Sequence, residues 1–128
     1  VNGWAAGAGM YILLSSTDIR IASAEHARFK FALLTQGWLG NGPGASLLAK
    51  QLRYIDAMKI LLTDEPFDAQ EALRLDLVNK LCEPGQALQE AIAVAKRFAK
   101  NPPVAMALMK AAVRRSVPYR FDSSRTSR

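Results

Sequence analysis

The chain begins Val-Asn-Gly-Trp-Ala-Ala-Gly-Ala-Gly-Met, with three glycines and no charge, and runs straight into Tyr-Ile-Leu-Leu. No other stretch limits the fold as tightly. Gly3, Gly7 and Gly9 interrupt regular structure, yet Met10 to Leu14 is wholly apolar and has to be buried. A strand ending at Val1-Asn2-Gly3, a glycine turn and a short buried helix over residues 10–14 satisfy both demands. At a helix start the free N–H groups point outward, and the helix dipole favours negative charge. Such a turn can hold an anion that exists only during a reaction, such as a thioester enolate. From this stretch alone, a tight turn without a ligand is the default. A dinucleotide fingerprint is excluded, because Ile12 stands where the third glycine belongs and no acidic residue follows at the required distance. A Walker phosphate loop is excluded too, for want of Gly-Lys-Ser/Thr.

Short strands and helices alternate from there on. Ile19-Arg20-Ile21-Ala22 reads as a strand, and Glu25 to Phe29 as a turn into a second extended piece. Gly37-Trp38-Leu39-Gly40-Asn41-Gly42-Pro43-Gly44 is the strongest loop, with a helix expected from Pro43 or Gly44. Tyr54 to Leu62 reads as a helix that buries Ile55, Met58 and Leu62. Asp68-Ala69-Gln70-Glu71 has the form of a capping box. Leu77 to Leu81 reads as a strand, broken by Pro84-Gly85. Gln86 to Lys100 is the clearest amphipathic helix, with Leu88, Ala91, Ile92, Ala95 and Phe98 in a stripe. Asn101-Pro102 places a cap before a proline at the first helical position, and a last helix runs to about Arg115.

At 128 residues, half of them hydrophobic, the chain amounts to about one domain with a real core. The net charge is +6, but its nearest approach to a cluster is Arg114, Arg115, Arg120, Arg125 and Arg128. That pattern is a solvated tail rather than a nucleic-acid arm. The single cysteine, Cys82, cannot form an internal disulfide, which fits a reducing, cytoplasmic setting. There is no signal-peptide pattern, and the longest apolar run is too short to span a membrane.

Five segments carry a resemblance. V-N-G-W-A-A-G-A-G-M resembles the V-N-G-x-A-x-G-G-G motif of the crotonase family, the enoyl-CoA hydratases and isomerases. Asp18-Ile19-Arg20-Ile21-Ala22-Ser23 is similar to its D-I-R-I-A-S strand, and Ala27-Arg28-Phe29 followed by Gly37 to its A-x-F…L-G segment. Residues 57–63 resemble A-M-x-L-L-L-T-G, and residues 69–79 resemble A-x-E-A-L-R-L-G-L-V-N. In the right order and nearly the right spacing, these cover about Val1 to Val117.

The resemblance implies an α/β fold, a spiral of β-β-α units followed by helices, over residues 1–117; past Val117 the pattern dissolves into Ser, Arg and Thr, and 118–128 is expected to be a disordered tail. It implies acyl-CoA thioester substrates, no cofactor beyond the coenzyme A of the substrate, no metal, and assembly as homotrimers or dimers of trimers. The thioester oxygen would sit on an oxyanion hole that includes Ala8 and Gly9. Gly7, Tyr11, Ala32, Leu33, Trp38, Gly40 and Asn41 would line the substrate site. The second oxyanion N–H of the family precedes Val1 in the pattern, so the chain resembles the central and later part of a family member.

The chain departs from the pattern where the chemistry is decided. Hydratases of the family use two glutamates. The first position falls on Tyr11 counted from Gly9, or on Ile12 counted back from Asp18; the second falls on Leu33, counted from Phe29. No carboxylate lies between Glu25 and Asp56. Hydration removes one proton and delivers another, which leucine can do in neither direction, while the Tyr11 phenol, with a pKa near ~10, is a poor base. Isomerase, hydrolase or other lyase chemistry is therefore expected ahead of hydration. The rival is a non-catalytic, truncated remnant of such an enzyme, and nucleic-acid binding through the basic surface ranks behind both. His26 is expected at the surface. Trp38 is open between an acyl pocket and the core. Asp64 and Asp76 stand where the pattern has glycine, which makes both expected left-handed helix ends that glycine would stabilise.

Overall fold

The computed structural model describes residues 1–39 and 43–116. The chain divides into two compact units, Val1–Val94 and one beginning at Ala95. In the first, β1 (Trp4–Ala6) leads into α1 (Ala8–Ser16), β2 (Ile21–Ser23) and β3 (Arg28–Lys30). A 3-10 turn (Leu34–Gln36), α2 (Gly44–Gln51), α3 (Tyr54–Thr63), β4 (Phe67–Asp68), α4 (Ala69–Arg74) and β5 (Lys80–Cys82) follow. The helix α5 (Ala87–Ala99) runs across the division, and α6 (Pro103–Ser116) lies in the second unit.

The strands make two small sheets, ordered β1-β3-β4 and β2-β5. β1 runs parallel to β3 with Ala6 opposite Lys30; β2 runs parallel to β5 with Ile21 opposite Lys80; β3 and β4 are antiparallel. The chain thus passes from the first sheet to the second and back, adds β4 to the first, and returns to the second at β5, as the expected spiral requires. Val1 and Gly3 join them: the Ser23 N–H donates to the Val1 carbonyl (2.9 Å), and the Arg28 N–H to the Gly3 carbonyl (3.0 Å). That bonding corrects the first strand. Gly3 lies along the sheet instead of turning out of it, so the strand continues to Ala6, and Gly7 makes the turn.

The core of this unit gathers Met10, Leu13 and Leu14 of α1, Phe29 and Phe31, Leu48 of α2, Ala57 and Ile60 of α3, and Ala72 and Leu75 around α4. Phe29 stacks on Phe67 with ring centroids 5.2 Å apart. Full burial of a side chain such as Phe29 or Met10 contributes about 2–3 kcal/mol. Gly44 lets α2 come close, since a Cβ there would stand 3.1 Å from the Phe31 ring. Arg20 staples the helices to the strands, donating to the Leu77 carbonyl, the Gln51 side chain and Thr17.

Two expected faces are corrected. α3 buries Asp56, Ala57 and Ile60, while Ile55 and Leu62 are 68% and 61% exposed. Asp56 turns inward because Arg53 (2.8 Å) and Arg74 (3.8 Å) neutralise it. In α5, Ala87 is buried with Ile21 and Cys82, and the Leu88 and Ile92 stripe is exposed. The capping box is half formed. The Asp68 carboxylate accepts from the Glu71 N–H at 2.9 Å, but the Glu71 side chain is spent on Arg74.

In the second unit Pro103 opens α6, and the Met106 N–H donates to the Pro102 carbonyl. The cap therefore falls one residue later than expected. α6 buries none of its residues. The tail expected over 118–128 lies outside the described residues.

Candidate functional site

Because Ala6 pairs with Lys30 in parallel register, the turns after β1 and after β3 emerge side by side at the carboxyl ends of their strands. Open parallel sheets place ligands at that end.

The first turn is Gly7, with φ 52° and ψ −117°, a conformation that only glycine adopts readily. Its N–H donates to the Lys30 carbonyl (3.1 Å), and its carbonyl accepts from the Tyr11 N–H (3.3 Å), closing the first turn of α1. The N–H groups of Ala8, Gly9 and Met10 therefore have no acceptor within the helix. Met10 is fully buried, Ala8 is exposed and Gly9 half-exposed. A Cβ at Gly9 would meet nothing within 4 Å, so the backbone there faces open space. Gly9 borders a groove of about 490 Å³ lined by apolar side chains including Trp4, Ile12, Leu13 and Leu88.

The second turn is built differently. Ala32 has φ 58° without being glycine. Its N–H donates to Asp64 Oδ1 (2.8 Å), and the Thr35 N–H and hydroxyl donate to Asp64 Oδ2 (3.1 and 2.8 Å). Asp64 caps α3 with φ 49°, and only 2% of it is exposed. Burial alone pushes its carboxyl up. The hydrogen bonds from Thr35 and Ala32, with the charge of Lys30, outweigh that and hold it below its ordinary value.

The expected site residues Gly7, Ala8 and Gly9 lie on the first turn, and Ala32 and Leu33 on the second; the bond from Gly7 to Lys30 brings the two together. Tyr11 lies further along α1, 40% exposed. Leu33 is half-buried against the core. Trp38, at 60% exposed, does not pack in the core, and its N–H donates to the Leu33 carbonyl (2.9 Å). Gly40 and Asn41 lie outside the described residues. His26 is on the surface with Nε2 3.9 Å from Glu25. Among the described residues no cluster of His, Cys, Asp and Glu could hold a metal ion, and no helix is long and apolar enough to cross a membrane. In the sequence Asp64 is marked only as a helix end, because its partners Ala32 and Thr35 lie far away along the chain. The signal was there: a negative charge at the negative end of a helix dipole needs another reason.

This spiral of two small sheets and helices defines the crotonase-like fold class. The chain belongs to the enoyl-CoA hydratase/isomerase family, whose model matches residues 1–126. It is 36% identical over 124 residues to a short-chain-enoyl-CoA hydratase of Clostridium acetobutylicum, an alignment covering 97% of this chain and 47% of that relative. It is 35% identical over 112 residues to an (E)-benzylidenesuccinyl-CoA hydratase of Thauera aromatica, covering 88% of this chain and 43% of that one. The crystal structure of an enoyl-CoA hydratase subunit I of Geobacillus kaustophilus superposes with a TM-score of 0.86 at 34% identity, over 93% of this chain and 46% of that one. The chain spans about half the length of the curated relatives it matches.

Proposed function

We propose that the turn at Gly7 receives the carbonyl oxygen of an acyl-CoA thioester, with the N–H groups of Ala8 and Gly9 and the positive end of α1 stabilising the charge of an enolate. The observation that carries this is the Gly7 turn itself: N–H groups with no acceptor in the helix, at the carboxyl end of a parallel strand, with open space on the Cβ side of Gly9. The family's relatives are named for acyl-CoA chemistry, which supports the substrate class.

Hydration is not the reaction we assign. Tyr11, Ile12 and Leu33 supply no carboxylate, and Asp64, which reaches the second turn, spends both oxygens on Ala32 and Thr35. Isomerase, hydrolase or another lyase reaction fits better, with its acid–base group elsewhere in the whole protein. A protein that binds thioesters and converts none of them is the second reading, favoured by the same missing carboxylates. For the whole protein we propose assembly as a homotrimer or dimer of trimers in the cytoplasm. The exposed Val104, Leu108, Met109 and Val113 of α6 support assembly, and sedimentation velocity tests it.

Calorimetric titration with crotonyl-CoA tests the site. Proline is tolerated in the first turn of a helix, so Gly9→Pro removes one N–H while leaving α1 able to form. We expect binding to weaken about tenfold or more. Unchanged affinity overturns the oxyanion assignment, and water addition to crotonyl-CoA at the rate of an ordinary hydratase overturns the exclusion of hydration.

A further inference from the structure

A buried carboxylate at the end of α3 does nothing for that helix. It lies at the negative end of the dipole, and its own N–H already closes the helix on the Ile60 carbonyl (3.0 Å). Both oxygens reach back to the segment leaving β3, far away in sequence. That segment is otherwise held mostly by itself: the Gly37 N–H donates to the Leu34 carbonyl and the Trp38 N–H to the Leu33 carbonyl. It is thus a small bonded body that packs on the core through Leu33 and whose hydrogen-bonded attachments among the described residues, at Ala32 and Thr35, are both on Asp64. Ala32 also holds a positive φ that a non-glycine residue keeps only when its surroundings dictate it. The chain supplies its own control in Asp76, a second aspartate after a helix with φ 59°, whose side chain is exposed.

We infer that Asp64 is a positioning residue for the ligand site: its carboxylate fixes residues 32–38 beside the Gly7 turn, so that Leu33 and Trp38 form a wall against the acyl group of the thioester. The inference rests on the reading of the Gly7 turn as a thioester site, and the two are separable. Asp64 itself touches no substrate; it acts through the segment it holds.

The test compares Asp64→Gly, Asp64→Asn and Asp76→Gly by residue-resolved amide exchange and by titration with crotonyl-CoA and with free coenzyme A. Glycine keeps the left-handed helix end, so Asp64→Gly preserves the turn after α3 while removing the carboxylate. We expect the Ala32 and Thr35 amides of Asp64→Gly to exchange about tenfold faster or more, with those of α1 and β3 unchanged. Affinity for crotonyl-CoA should fall about tenfold while that for coenzyme A holds, a loss of discrimination that a merely structural role would not produce. Asp64→Asn, which keeps one acceptor oxygen, should recover part of both effects, and Asp76→Gly should show neither. Ala32 and Thr35 amides that stay protected in Asp64→Gly overturn the inference. So do freed amides with an unchanged preference for crotonyl-CoA over coenzyme A. A wild-type protein that binds no thioester overturns the reading of the Gly7 turn and the acyl wall with it, while the exchange rates still decide whether Asp64 holds the segment.

Discussion

The two turns that leave β1 and β3 solve one geometric problem by opposite means. Each begins at the carboxyl end of a parallel strand, and each needs a positive φ: 52° at Gly7 and 58° at Ala32. At Gly7 the residue itself supplies the freedom, and the N–H groups that follow are left unbonded. At Ala32 the residue resists, and a carboxylate from α3 holds it in place by taking up the local N–H groups. A turn made by glycine leaves its donors unbonded. A turn made by a distant clamp consumes them.

The sharpest way to break this comparison is to remove the clamp outright. Asp64→Ala leaves the Ala32 and Thr35 donors unpaired and puts a Cβ-bearing residue without a polar side chain at φ 49°. It should destabilise the protein by about 3 kcal/mol in denaturant titrations. Asp64→Gly gives up the same three hydrogen bonds without the φ strain, so the stabilisation expected of glycine from the sequence is replaced here by an expected loss smaller than that of Asp64→Ala. Protonation should mimic the mutation. The Asp64 carboxyl is held below its ordinary value, so its contribution is complete above that value and is lost as pH falls through the depressed one. Glu71, held low chiefly by the Arg74 hydrogen bond, acts in the same direction. An acid arm of the stability curve that is shallower in Asp64→Asn than in wild type isolates the Asp64 share; equal arms would contradict it.

On the other turn, Gly7→Ala forces a side chain into the conformation that glycine alone adopts readily. A Cβ there would lie 3.9 Å from the Phe31 carbonyl oxygen, so space is not the obstacle and the backbone strain is. The expected loss is about 2 kcal/mol. The converse substitution, Ala32→Gly, relieves strain and should stabilise by about 1 kcal/mol, part of it offset by unfolded-chain entropy. If Ala32→Gly destabilises, the alanine methyl packs better than its φ suggests. Smallest of all, Asp76→Gly should raise the denaturant midpoint by the equivalent of about 0.5 kcal/mol, because Asp76 is exposed and only its φ and the α4 dipole oppose it.

What the sequence showed follows the same division. Gly7 was legible because glycine spacing is a local signal: three glycines before an apolar run ask for a turn and then a helix. The family segments were legible because they are local strings in fixed order. Leu33 and the pair Tyr11 and Ile12 could be marked as lacking a carboxylate by counting alone. Asp64 was legible as a left-handed helix end and illegible as a clamp, since its partners Ala32 and Thr35 become neighbours only after α2 and α3 have packed. The stripes on α3 and α5 misled for a related reason. Periodicity says that Ile55, Leu62 and Leu88 favour burial, but not whether a neighbour lies there, and among the described residues they stay exposed.

The pairing of Ile21 with Lys80 carries a consequence for how the chain is born. β2 is made well before its partner strand, which emerges only after β3, α2, α3 and α4 have been made. Until then the edge of β2 that takes up β5 stays open, apolar at Ile21 and Ala22, at a stage when neighbouring ribosomes hold identical edges. Conditions that slow translation between residues 23 and 80 should therefore lower the yield of soluble protein more than the same slowing after Cys82, with the finished fold unchanged.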